Sequence, residues 1–203
     1  MIAIAGLLIP GTGGSWLEQS KADDPIPHRL PAPPVTTSTI ATAAPANPQV
    51  LDPQPSRPID VPDDPYAREP LVEIGTIEIP KIGLTHRMFH GITLNNIDHG
   101  PSHWPGSAYP GQIGNAVIAG HRVTHSRPFR NIDQLAPGDQ VIFTVRGTRA
   151  VYAVVGREIV TPKATWIANP TPTPTATLFA CHPPGSAKLR YVVRLALVST
   201  GLA

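Results

Sequence analysis

The chain has one cysteine, Cys181, which ends the apolar run Thr177-Leu-Phe-Ala-Cys181 and is followed at once by the turn sequence His182-Pro-Pro-Gly-Ser186. A sulfur at such a strand mouth is open to an arriving peptide, whereas one in mid-strand would be packed over. A thiol attacks a carbonyl as its thiolate, and a nearby imidazole or cation helps to form that species. His121 has the same topological position, directly after the apolar run 115–120. Arg190 opens the run that follows the loop after Cys181, so the loop folds it back toward the sulfur. Cys, His and Arg at three strand ends on one rim would supply a nucleophile, a proton carrier and a charged donor to a tetrahedral oxyanion. A lone cysteine is otherwise most often a small buried hydrophobe. It is the company of His121 and Arg190 that overturns that reading.

Rivals stand close by. His182 adjoins Cys181, but neighbours on an extended chain point to opposite sides, which leaves His121 the better acid/base. Arg194 shares a strand face with Arg190 by the period of two, and Arg190 is preferred because it is nearer the loop. Ala180 and His182 flank the sulfur and are candidate substrate contacts. So are Trp104 and Tyr109, in Gly100-Pro-Ser-His-Trp-Pro-Gly-Ser-Ala-Tyr-Pro-Gly111, which either line a peptide groove or pin the loop. Three histidine pairs, His86/His90, His99/His103 and His121/His125, have the HxxxH spacing that puts two zinc ligands on one helix face. None of the three segments reads as a helix, so no metal site is expected. His86, His90, His99 and His125 are read as surface or loop histidines.

The elements that must hold these residues are β-like. From Leu71 short apolar runs alternate with Gly and Pro, the texture of a sandwich or barrel. Residues 74–79, 115–120, 140–145, 150–155, 176–181 and 190–197 read as strands, and only 94–99 and 129–135 look helical. The expected fold is all-β, a closed barrel with one or two short helices, since closure removes exposed strand edges.

Ahead of it the texture differs: 14 of the 26 prolines fall at or before Pro70, and no Phe, Trp or Tyr occurs from Ala22 to Pro65. Residues 22–69 are therefore expected to be a disordered Pro-rich linker, and 70–203 the folded domain. Residues 1–21 open with an apolar stretch about half as long as the ~20 residues of a membrane span. It reads either as the cut-down end of a signal-anchor helix or as a disordered apolar tip. The net charge of +2, without a Lys/Arg cluster, argues against nucleic acid as a partner. A single cysteine excludes an internal disulfide framework.

From Ile74 to Leu197 the sequence resembles the sortases of Gram-positive bacteria. Three blocks carry the resemblance: Gly75-Thr-Ile-Glu-Ile-Pro-Lys-Ile-Gly83; Gly114-Asn-Ala-Val-Ile-Ala-Gly-His-Arg122 with Pro128-Phe129; and Thr177-Leu-Phe-Ala-Cys-His-Pro183 with Arg190. Cys-His-Pro with Ser186-Ala-Lys-Leu-Arg190 looks most like the class E group of actinobacteria. The resemblance implies a barrel of about eight strands, His121 as acid/base, Cys181 as nucleophile and Arg190 as the group that steadies the substrate carbonyl. It also implies a transpeptidase that cleaves a C-terminal LPxTG-like sorting signal, or LAxTG as in class E, through a Cys thioester. The protein would then pass to an amine of a peptidoglycan precursor or a pilin, at the extracellular face of the membrane and without a cofactor. One departure is Ala180, where the family usually has Thr. A cysteine peptidase hydrolysing the same peptide, or a non-catalytic or metal-binding wall protein, are the alternatives.

Overall fold

The computed structural model describes residues 57–203. The expected anchor remnant at 1–21 and the linker as far as residue 56 lie outside the described residues.

Eight strands close into a barrel: β1 Val72–Ile79, β2 Leu84–His90, β3 Ser102–His103, β4 Asn115–Ala119, β5 Gln140–Val145, β6 Thr148–Val160, β7 Thr175–His182 and β8 Leu189–Leu202. Around the barrel the order is β1-β2-β3-β4-β7-β8-β6-β5. The pairs β2/β3 and β4/β7 are parallel and the rest antiparallel. Among the described residues helix is confined to one turn of α-helix, α1 Leu94–Ile97, and to 3-10 turns at Pro80–Ile82, Ile132–Gln134 and Thr165–Ala168. The expected all-β closed barrel is the fold observed, and the helical reading of 129–135 shrinks to a three-residue turn.

Strand chemistry explains the layers. In β7, Ala176, Leu178 and Ala180 point into the main core with Ile77, Met88, Ile118, Phe143, Tyr152, Val193 and Leu195. Phe179, one residue out of phase, packs outside the barrel against Ile92, Trp104, Val117, Ala119 and Ala168. The whole of β4 is buried, with Ala116 and Ile118 facing the interior and Val117 and Ala119 the outer cluster. An unbroken apolar run is what a strand covered on both faces requires. The outer layer over β4 and β7 forms the walls of the site.

Residues 57–69 depart from the expected disordered linker. Trp104 Nε1 donates to the Ile59 carbonyl at 2.8 Å, and Ile59 N to the Pro105 carbonyl at 3.0 Å. Leu94 N donates to Pro65 O at 2.7 Å, and Asn95 Nδ2 to Tyr66 O at 2.8 Å. Glu69 Oε2 accepts from Ile92 N, Thr93 N, Thr93 Oγ1 and Asn96 Nδ2 at 2.8–3.1 Å. Burial alone would raise the Glu69 pKa, but these hydrogen bonds together outweigh it and hold the carboxyl below its ordinary value. Gly91 makes the cage possible: a Cβ there would lie 2.2 Å from Asn96 Nδ2 and 2.7 Å from Glu69 Oε2. Proline content signals an extended chain, not an undocked one. Docking here comes from hydrogen bonds between residues more than twenty positions apart, which composition does not register.

Candidate active site

The parallel pairing of β4 with β7 places Ala119 opposite Phe179, and Gly120 N still donates to Phe179 O at 3.2 Å. Two residues further along each chain are His121 and Cys181. Both share the face of Ala119 and Phe179 by the period of two, so imidazole and thiol leave neighbouring strands on the same side. On the other flank of β7, Cys181 is the direct register partner of Arg190 in β8. All three line one cleft of about 370 Å³. Its walls are mostly apolar: Val61, Ile92, Ile97, Trp104, Ile167 and Phe179. Cys181 is half-buried and free of any disulfide.

Gly120 fixes the exit of β4. A Cβ at this position would lie 2.6 Å from the Phe129 ring, which is fully buried in the main core. Phe129 N also donates to the His121 carbonyl at 3.0 Å, so the backbone of His121 is tied to the core beneath it. From the other side, His121 Nε2 meets Asp98 Oδ1 at 2.7 Å. In the neutral ring Nε2 therefore carries the proton and donates to the carboxylate, and Nδ1 is the nitrogen with the free lone pair. Asp98 comes from the C-cap of α1, 23 positions earlier, and sequence reasoning missed it. No local pattern could have found it, because its partner is set by the packing of α1 on the barrel.

The rival residues are engaged elsewhere. Arg194 Nε donates to Glu158 Oε1 at 2.8 Å, and its Nη1 to Ile167 O at 2.8 Å and Thr177 Oγ1 at 2.9 Å. Thr177 in turn donates to Asn115 Oδ1, and Asn115 Nδ2 to Ile167 O and Asn169 O. Arg194 thus belongs to a network that fastens the Thr165–Ala168 turn, one wall of the cleft, to β4, β6, β7 and β8. Among the described residues the Arg190 side chain is held only by nearby carbonyls, Ala187 at 2.9 Å and Leu189 at 3.0 Å, and it stays within the cleft lining.

His182 turns away from the cleft. Its Nδ1 accepts from Arg122 Nη1 at 2.8 Å, and Arg122 also pairs with Asp133 and donates to the Arg130 carbonyl. The Arg122 side chain is 1% exposed, so its charge is satisfied by these partners and not by water. Burial, and then the adjacent Arg122 cation, lower the His182 pKa and keep the ring a neutral acceptor. Arg122 therefore joins the ends of β4 and β7 directly beneath His121 and Cys181.

Of the candidate substrate contacts, Ala180 and Trp104 line the cleft and His182 and Tyr109 do not. Tyr109 stacks on His103 with ring centroids 4.6 Å apart and carries Arg146 at 4.0 Å on its ring. His103 itself is fully buried and its Nδ1 sits 3.2 Å from that of His90. Trp104 is a wall and a fastener at once, since its ring packs by Phe179 while its Nε1 holds residue 59.

Of the three histidine pairs with HxxxH spacing, one is gathered with a carboxylate. The His121 and His125 rings stack at 5.0 Å, and Asp98 Oδ1 lies 3.3 Å from His125 Nδ1.

The sequence resembles known proteins over the same region. Sortase D of Bacillus subtilis is 33% identical over 86 residues, 42% of each chain. Sortase SrtE1 of Streptomyces coelicolor is 28% identical over 145 residues, 64% of this chain and 41% of that one. The matches thus span about two fifths of the length of these two relatives. Among solved structures, a Clostridium perfringens sortase D transpeptidase superposes with a TM-score of 0.58 at 33% identity, covering 63% of this chain and 79% of that one. Sortase A of Corynebacterium diphtheriae gives 0.60 at 31% identity, covering 65% and 63%. A sortase E variant of Streptomyces avermitilis gives 0.59 at 26%, covering 64% and 91%. The Sortase domain family matches residues 77–198, which takes in nearly every strand of the barrel and the whole cleft rim, and the chain belongs to the sortase family.

Proposed function

We propose that the protein is a cysteine transpeptidase acting on the C-terminal sorting signal of secreted proteins. The observation that carries this reading is the register of three neighbouring strands, which puts His121, Cys181 and Arg190 on one face of an apolar cleft. The Cys181 thiolate attacks the carbonyl carbon of the scissile peptide bond. Negative charge developing on the carbonyl oxygen is met by Arg190. His121 protonates the departing amine as the tetrahedral intermediate collapses to a thioester on Cys181. An incoming amine then attacks the thioester, loses a proton to His121 and releases the thiolate. Atoms balance: one amide is cleaved and one is made.

Apolar walls suit an extended peptide with aliphatic side chains, as in LPxTG-like signals, or LAxTG as expected of a class E relative. The amine acceptor belongs to a peptidoglycan precursor or a pilin, and the site of action is the extracellular face of the cell membrane. Among the described residues no helix is long and apolar enough to cross a membrane.

The test is product analysis with an LAxTG and an LPxTG peptide, each with and without an added glycine-based amine. Amine-dependent amide product from the wild type, and none from Cys181→Ala, is the result expected. Free carboxylate product at the same rate whether or not amine is present would mean a hydrolytic peptidase instead.

A further inference from the structure

We propose that Asp98, His121 and His125 form a binding site for a divalent transition metal of the Zn2+ type, and that its occupation withdraws His121 from transfer. The second clause rests on the function proposed above, and the first does not.

Three donors from two separate segments meet at this point of the cleft rim. Asp98 caps α1, His121 leaves β4, and His125 sits in the turn beyond it. One nitrogen of each imidazole and one carboxylate oxygen all lie within 4.8 Å of one another. HxxxH spacing usually serves a metal on a helix, where both rings share a face. Here the turn after β4 does the same work, bringing the rings to 5.0 Å with 24° between their planes.

The donor set suits the ion. Two neutral imidazoles and one carboxylate are the three-ligand complement of open zinc sites, with a fourth position left for water or another donor. Ligand atoms at about 2.0–2.2 Å from a tetrahedral ion lie roughly 3.3 Å apart. Asp98 Oδ1 and His125 Nδ1 already have that separation, 3.3 Å. The 2.7 Å between Asp98 Oδ1 and His121 Nε2 is a hydrogen-bond length. An ion would open it slightly, and the ring's one proton would pass from Nε2 to Nδ1, which keeps the imidazole neutral. Among the described residues Asp98 pairs with no lysine or arginine, so its charge is free to balance a cation. The site is also reachable, since the His125 side chain is 48% exposed.

Once metal holds Nε2, Nδ1 carries the ring's one proton and has no lone pair left to accept another, and a hydrated cation occupies the rim next to Cys181. Inhibition by zinc should then depend on His125, which has no place in the catalytic machinery proposed above.

Cobalt, which reports its ligands by colour, gives the readout that needs no activity. Co2+ titration of the full chain should produce d–d bands without a sulfur-to-cobalt charge-transfer band, and the same spectrum in Cys181→Ala. In His125→Asn, a residue suited to the positive φ of 53° at this position, the affinity for Co2+ should fall by more than about tenfold. His125→Gln serves as a second variant for the same loss. Zn2+ should inhibit wild-type transfer reversibly, with EDTA restoring it, and both His125 variants should keep basal transfer while needing more than about tenfold higher Zn2+ for inhibition. A charge-transfer band that vanishes in Cys181→Ala, with Co2+ binding unchanged in the His125 variants, would place the metal on the thiolate and overturn the site. Co2+ binding as expected in a chain with no transfer activity would keep the site and reject the function instead.

Discussion

Asp98 Oδ1 lies 2.7 Å from His121 Nε2, and the two groups are 26% and 16% exposed. A carboxylate in that position holds one tautomer of the imidazole and fixes its plane, the part an orienting acid plays beside a catalytic histidine. Asp98→Ala should lower kcat by about tenfold to a hundredfold with little change in KM. Asp98→Glu should recover part of the loss. A raised KM at unchanged kcat would show that Asp98 shapes the groove through α1 and does not act through His121.

Arg190 and Arg194 share a strand face but differ in their bonds, which separates their roles. Arg190→Ala should leave the unfolding midpoint nearly unchanged and cut transfer by roughly a hundredfold to a thousandfold, the effect of removing one oxyanion donor. Arg194→Ala leaves Thr177 Oγ1, Ile167 O and Glu158 without their shared donor and should destabilise by about 1–3 kcal/mol. Urea denaturation beside a transfer assay makes the comparison. An inactive Arg194→Ala at full stability, with active Arg190→Ala, would reverse the assignment.

Glu69 gathers four donors from residues 92–96 and so fastens the strap of residues 57–69 to α1, the element that carries Asp98. Glu69→Ala should cost about 1–3 kcal/mol and raise KM, because Val61, Pro62 and Pro65 form part of the cleft wall. A chain beginning at Arg57 should fold and transfer as the full chain does, whereas one beginning at Leu71 should do so poorly. Equal activity of the two truncated chains would show that the strap is dispensable.

Much of this was legible in the sequence where short-range pattern decides the outcome. The apolar runs 116–119 and 178–180 announce their strands, and Cys181 and His121 stand at strand ends where a thiol and an imidazole have chemistry to do. Strand β3 was not legible, because its two residues become a strand only by pairing with β2 and β4. Nor was Asp98, whose role is made by the fold 23 positions away. The two readings of Tyr109 could not be separated for the same reason: an aromatic in a Gly/Pro loop fits a groove wall or a loop pin equally well, and only packing shows it against His103 and Arg146.

His103 supplies the last prediction. Its ring is buried between β2 and the Trp104–Gly111 loop, with Nε2 2.9 Å from the Ala108 carbonyl and 3.0 Å from Ser107 Oγ. Burial, ahead of the nearby His90 and Arg146 charges, lowers its pKa to about 4. An unfolded histidine titrates near ~6.5, so between the two values the unfolded chain binds the proton and the folded chain does not. Stability should therefore be complete above about pH 6.5 and fall as pH drops toward 4, by up to roughly 1.4 kcal/mol per pH unit and on the order of 3 kcal/mol in all. His90 and His182, whose pKa values are also lowered mainly by burial, add loss of the same sign. Glu69 enters only below the ordinary carboxylate range, since its stabilisation is present above that range and fades as pH falls through its lowered pKa. Urea midpoints at pH 7, 6, 5 and 4.5 for wild type and His103→Gln isolate the term. The wild type should lose stability steeply over that span and His103→Gln, less stable at pH 7, should lose markedly less. Parallel losses in the two proteins would mean that His103 accepts a proton without opening the fold.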